Sequence, residues 1–275
     1  MLESALRTTL AAIFTLGLIA TTCSAQTPSP CGVMASSIMW YVVGGGPPTT
    51  NAPFSATIRT THEQKFVDGN VIHGQVITHA YRDSAGRFRS ETTMGLCNIG
   101  LDGQLRPPFT ISVDDPTTRT SMSWEVNGAG EKVVRVYHEP DPKTAAAAVP
   151  PLTEQQRQRN AQLQEHSRKY TSNEKLGSKM IGGVMTDGSR QITTIPAGEQ
   201  GNDRPIEWAD EDWATRDNTM TMLRIQDDPR AGHTVTEVTE LIQGEPDPSL
   251  FAPPPGYKLE EQVRTDKPVA AAQYF

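Results

Sequence analysis

The stretch FSATIRTTHEQKFV-DG-NVIHGQVITHAY, residues 54–81, decides the fold class. Both arms are rich in Thr, Ile and Val, which fit a pleated, half-buried surface, and Asp68-Gly69 between them is a dipeptide favoured in the tight type I′ turn of a β-hairpin. The same punctuation recurs outward from it. Asp83-Ser84-Ala85-Gly86 leads into a strand over 87–94, Asp114-Asp115-Pro116 separates strands at 109–113 and 117–126, and Asn127-Gly128-Ala129-Gly130 turns the chain into 131–138. Connections this short cannot carry a parallel crossover, which needs a dozen or more residues, so the sheet is predicted to be antiparallel.

Strand character stops at Glu139 and returns near Lys175. Between them Thr153-Glu154-Gln155-Gln156 has the form of a capping box, and helix formers continue to Tyr170. Leu152, Ala161, Leu163 and Tyr170 make only a thin apolar stripe, so the segment is either a helix lying loosely on the sheet or a solvated connector. After it, 179–185 and 189–195 read as a hairpin turning at Thr186-Asp187-Gly188. Strands at 204–208, 220–226 and 234–242 follow, the last two joined through Asp228-Pro229-Arg230-Ala231-Gly232. The fold class is therefore mainly β, a curved and partly open antiparallel sheet (a half-barrel) with one polar helix or helical connector.

The chain is divided accordingly. Residues 1–25 read as an export signal: an almost uncharged run from Thr8 to Thr22 ends in Cys23-Ser24-Ala25, and it is too short to span a bilayer comfortably. Cleavage after Ala25 leaves no transmembrane span, and the protein is expected to be periplasmic or secreted. The alternative is a cut before Cys23 with lipidation of that residue, although Ala20, Thr21 and Thr22 are a poor context for it. Residues 26–52 are expected to form a flexible N-terminal segment, 53–260 a single β domain with its connector at 139–172, and 261–275 a disordered tail. Cys31 and Cys97 remain after cleavage and are expected to form a disulfide in an oxidising compartment.

The formal charge of −7 survives removal of the leader, which carries only Glu3 and Arg7. Basic residues are interleaved with acids, which argues against nucleic acid as a partner. No cofactor motif is present. His62-Glu63 lacks the second His of a zinc-protease helix, since Phe66 stands there, and a hairpin at Asp68-Gly69 is expected to set His62 and His73 diagonally on one face without a third ligand. Ser172 and Lys175 have serine-lysine spacing without the companion motifs of penicillin-interacting enzymes. The protein is thus read as non-enzymatic.

Two clusters stand out. The turn from Tyr81 to Glu91 alternates charges, and is expected to be a solvated hairpin with cross-strand ion pairs each contributing well under ~1 kcal/mol. Glu207-Trp208 and Asp210-Glu211-Asp212-Trp213 place two Trp among four acids, as the lip of an apolar cavity, a weak calcium site or a simple packing of Trp213 under the sheet. Trp208, Trp213, Met220 and Met222 are the candidate ligand-binding residues; no metal ligand is assigned.

At these residues the chain resembles a group of uncharacterised secreted proteins common in acidobacteria. The likeness is carried by Tyr81 to Glu91, Ile195-Pro196-Ala197-Gly198 with Gly201-Asn202-Asp203-Arg204-Pro205-Ile206, the Trp213 region, Asp228-Pro229-Arg230 with Gly232, and Glu245-Pro246-Asp247-Pro248-Ser249-Leu250-Phe251. More loosely, Trp213, Leu250-Phe251 and Pro255-Gly256-Tyr257 make the C-terminal half similar to periplasmic lipoprotein carriers of the LolA type. That resemblance implies an unclosed sheet around an apolar cavity with helices as a lid, but the helix expected at 153–170 is very polar. The expected role is an exported protein holding an apolar or lipid-like ligand. The alternative is an envelope interaction or sensor module that binds a protein without a small-molecule ligand.

Overall fold

The computed structural model describes residues 49–93, 98–99, 105–106, 109–126, 132–140 and 151–263. The leader, Cys31 and Cys97 lie outside them. Twelve strands form one open sheet: β1 (Phe54–Lys65), β2 (Val71–Arg82), β3 (Phe88–Thr93), β6 (Phe109–Asp115), β7 (Thr120–Val126), β8 (Val133–His138), β9 (Thr171–Ile181), β10 (Val184–Ile195), β11 (Ile206–Thr215), β12 (Thr221–Asp228), β13 (Gly232–Gln243) and β14 (Lys258–Val263). Two short strands, β4 (Asn98–Ile99) and β5 (Leu105–Arg106), pair separately, and the helix α1 spans Glu154–Tyr170.

The strand order is β14-β8-β7-β6-β3-β2-β1-β13-β12-β11-β10-β9. Two antiparallel meanders are joined where β1 pairs with β13, and the sheet does not close, since β9 and β14 each have one neighbour among the described residues. One pairing departs from the expected antiparallel sheet. β14 runs parallel to β8, from Lys258↔Val133 to Val263↔His138, so residues 261–263, expected as tail, belong to the sheet. Reaching the β14 position, beyond β8, from β13 means crossing seven strand spacings, roughly 34 Å. Residues 244–257 can span about 46 Å when extended, and Pro246, Pro248 and Pro253 to Pro255 favour that state.

Successive residues of a strand face opposite sides, and this sheet buries different sides in different places. Phe54, Ala56, Ile58, Ala80, Met220, Met222 and Val238 form one apolar cluster. Ile111, Val113, Trp124, Val134, Val136 and Phe251 form the other, against which Tyr81, the neighbour of Ala80, also packs. The second cluster is capped by the crossing segment, through Leu250, Phe251 and Tyr257.

The hairpin between β1 and β2 forms, but its turn is not the two-residue type I′ form expected at Asp68-Gly69: Gly69 alone takes positive φ, at 85°, its amide donates to the Phe66 carbonyl at 2.9 Å, and the loop is one residue longer, which sets the pairing at Lys65↔Val71. The turn expected at Thr186-Asp187-Gly188 does not form. The chain reverses at Gly182-Gly183, both at positive φ, and Gly188 lies inside β10 opposite Trp213. A Cβ on Gly188 would stand 2.6 Å from the Trp213 ring, so this glycine leaves room for an aromatic on the neighbouring strand. The α1 capping box is present, with the Gln156 amide donating to Thr153 Oγ1 at 3.2 Å and the Thr153 amide donating to Gln156 Oε1 at 2.8 Å. No α1 residue is buried, which makes it a solvated helix, tied to the β10–β11 turn by His166 and Glu199 at 3.1 Å.

Candidate ligand-binding site

Alignment of β1 with its two neighbours sets Gln243, Phe54 and Arg82 in one row across the sheet. The Gly182-Gly183 turn brings Val184 and Met185 towards this row, and the turn from Thr215 to Met220 adds Met220. Together with Leu241 these residues line an open depression of 770 Å³. Phe54, Val184, Met220 and Leu241 are the margin of the first apolar cluster, so the depression is an unfilled continuation of the core. Arg82, Arg216 and Asp217 supply its charges. Asp217 accepts from Thr215 Oγ1 at 2.6 Å and from Thr219 Oγ1 at 2.9 Å, and the Thr215 bond first among these holds its carboxyl below the ordinary range.

Arg82 is 3% exposed. Its Nε donates to the Ala52 carbonyl at 2.8 Å, and its guanidinium carbon lies 4.7 Å from the centre of the Phe54 ring. Its Nη1 is buried without a hydrogen-bond partner among the described residues. Burial draws its pKa down, while Asp217 opposes that shift.

The four candidate residues do not share one surface. Met220 and Met222 are brought together in the first cluster, at 5% and 0% exposure, and Met220 also lines the depression. Trp213 pairs with Leu223, whereas Arg224, the next residue of β12, pairs with Asp212 on the other side. The indole lies over Gly188, donates from Nε1 to Glu211 Oε1 at 2.7 Å, and carries Lys179 Nζ at 3.6 Å from its ring centre. Burial raises the Glu211 carboxyl, but the bonds from Trp213 and Arg190 outweigh it and hold the group low. Trp208 lines a separate shallow depression with Ile192, Asp227 and His233.

Asp210, Glu211 and Asp212, three of the four acids around these Trp, are engaged in ion pairs. Asp210 receives Arg224 through Nε at 2.8 Å and through Nη2, and Asp212 stands 3.7 Å from Arg224 Nε. Burial, reinforced by Asp210, raises the Asp212 pKa despite Arg224. His62 and His73, expected on one face, lie on opposite faces, because His62 pairs with Gly74 and His73 with Glu63. Among the described residues no group of three or more His, Cys, Asp or Glu could hold a metal ion.

The charged turn from Tyr81 to Glu91 is the main departure from expectation. It is not solvated: Arg82, Asp83 and Arg89 are buried. Asp83 accepts from the Arg87 amide at 2.8 Å and from Arg87 Nε at 2.6 Å. Arg87 stacks on Phe251, Arg89 stacks on Trp124 and donates to the Leu250 carbonyl at 2.6 Å, and Ser84 Oγ donates to Glu245 at 2.7 Å. The turn and the Glu245–Phe251 stretch are therefore one physical unit, in which the hairpin holds the crossing segment against the sheet. Sequence reading could not find this, since the partners are about 160 positions apart.

No family model and no curated protein matches the chain. Similar solved structures include the MucA/MucB complex of Pseudomonas aeruginosa, at 12% identity and a TM-score of 0.36, covering 74% of this chain and 56% of that one. The chain thus spans little more than half the length of that relative. Others are an uncharacterized conserved protein from Thermus thermophilus, at 12% identity and a TM-score of 0.37, covering 83% of this chain and 99% of that one, and the lipoprotein LppX of Mycobacterium tuberculosis, at 14% and 0.24, covering 71% and 85%. These likenesses are too distant to assign a shared function. No described helix is long and apolar enough to cross a membrane.

Proposed function

We propose that this is an exported, non-enzymatic protein of the periplasm or the cell exterior that holds an apolar or lipid-like ligand against its open sheet. The observation that carries the reading is the depression beside the first apolar cluster. Its volume of 770 Å³ falls within the roughly 300–1,000 Å³ typical of small-molecule sites, and apolar side chains with a few convergent polar groups are the usual lining of such sites. Met220 belongs to the ligand wall and Met222 supports it from behind. Trp213, over Gly188, acts as a structural prop. Protein exported from its host and purified without detergent is extracted with organic solvent, and the extract is analysed by mass spectrometry. A stoichiometric amphiphile supports the reading; its absence, together with failure of added amphiphiles to bind, overturns it.

A second reading is favoured by β9. Among the described residues this strand has only β10 as a neighbour, most of its 11 residues are exposed, and Met180 is 59% exposed. An unpaired strand edge is a template for adding a strand from a protein partner. Under that reading no amphiphile co-purifies, and a captured protein is lost on Leu176→Pro.

A further inference from the structure

The structure assigns Arg82 as the anchor for the anionic head group, carboxylate or phosphate, of an amphiphile whose chain lies along Val184, Met185 and Leu241. This rests on the proposed ligand-holding role and adds the chemical class of the ligand and the place where its charge sits.

The argument starts from a charge the fold leaves incompletely compensated. A buried guanidinium is costly unless it is paired and hydrogen-bonded. Arg82 has the Ala52 carbonyl on Nε and the Phe54 ring beneath it, but among the described residues no carboxylate bonds to it, and Nη1 has no acceptor. Other buried arginines of the sheet are treated differently: Arg89 meets Glu91 and Leu250, and Arg224 meets Asp210. Asp217 is the one acid in the same lining. Its Oδ1 is already committed to Thr215 and Thr219, which shape the turn it sits in.

The second half of the argument is the surface beside this charge. Val184, Met185 and Leu241 continue from Arg82 as apolar wall, and Met185 is 38% exposed. A ligand with an anion alone would leave that wall wet, and a neutral hydrocarbon would leave the guanidinium at the end of the wall without a bonded anion. An amphiphile with an anionic head satisfies both. Guanidinium also offers the forked donor geometry that matches carboxylate and phosphate oxygens.

The test uses the full exported chain and four probes: dodecanoate, dodecyl phosphate, dodecanol and inorganic phosphate, with affinities from titration calorimetry. The two anionic amphiphiles are expected to bind roughly 10- to 100-fold more tightly than dodecanol, the range of a hydrogen bond to a charged group. Arg82→Gln should bring them to the level of dodecanol measured on the same variant. Met185→Glu, at an exposed position, should weaken dodecanoate more than dodecanol by adding a like charge, and it decides the matter if Arg82→Gln does not fold. Equal binding of dodecanoate and dodecanol would overturn the anchor and leave the apolar site standing. Inorganic phosphate binding as tightly as dodecyl phosphate would overturn the amphiphile. If none of the four binds, the ligand-holding role itself fails.

Discussion

Replacing Trp213 by Ala removes an indole that is 7% exposed and leaves the space above Gly188 without a filler. Large-to-small changes of buried aromatics cost about 3 to 5 kcal/mol. Part of that loss comes from the Nε1–H to Glu211 bond, since hydrogen bonds to charged groups contribute about 1.5 to 3 kcal/mol when well formed. The Lys179 contact adds about 0.5 to 1 kcal/mol at an exposed site. Urea unfolding followed by circular dichroism measures the difference. The sharper test is a double-mutant cycle with Gly188→Ala. On the parent, the added Cβ meets the indole at 2.6 Å and the variant should be clearly destabilised; on Trp213→Ala the same methyl meets open space and should cost little or even stabilise the strand. A Trp213→Ala loss below about 1 kcal/mol, or additive effects in the cycle, would refute the account of this pair.

Arg89→Met removes the donor to the Leu250 carbonyl and strands Glu91 in a mostly buried position, so a loss of about 3 to 5 kcal/mol is expected in the same unfolding assay. The raised pKa of Asp212 means the folded state binds its proton more tightly than the unfolded chain. Asp212 therefore withdraws stability as pH rises from its ordinary value of 3.8 through its folded pKa, and Asp212→Asn should be the more stable protein at pH 7, with the difference shrinking as pH falls towards 3.8. Glu211 has the opposite sign: its pKa is held low, so the stability it contributes is present above its ordinary value of 4.5 and is lost as pH falls through the folded value, a slope that Trp213→Ala should flatten. Cys31 and Cys97 are expected to resist alkylation in the denatured protein until it is reduced; labelling of both without reductant would refute the bridge.

What the sequence makes legible is what neighbouring residues decide. Thr153 three residues before Gln156 is a signal whose partner lies close by, and the cap forms as expected; Asp68-Gly69 between two Thr- and Val-rich arms marks the hairpin but not its turn, which is one residue longer than the type I′ form. Thr186-Asp187-Gly188 misleads because Gly188 is not there to turn the chain; it makes room for Trp213, 25 positions away. The Tyr81–Glu91 charges look solvated in the sequence because what buries them arrives from residues 245–251. The parallel pairing of β14 leaves no trace, since its partner β8 is more than a hundred positions upstream and the run itself is short and charged. At the site, Met220 is legible as an apolar residue of a strand end, but Arg82, Phe54 and Leu241 are not, because the depression is assembled from the ends of β1, β2 and β13 and from two turns.

The junction of β1 with β13 bears on how the chain reaches this state. Ile58 faces Val238, 180 positions later, and among the described strands the sheet has no other seam between its two meanders. During synthesis from the N-terminus, β1 and β2 can form their hairpin early, but the far edge of β1 has no mate until almost the whole chain has emerged. Such late, long-range pairing slows folding, and an exposed strand edge invites association with other chains in the meantime. Truncation before β13 is then expected to give not a smaller folded unit but an aggregating one, and growth conditions that slow delivery of the C-terminus should lower the yield of the intact protein.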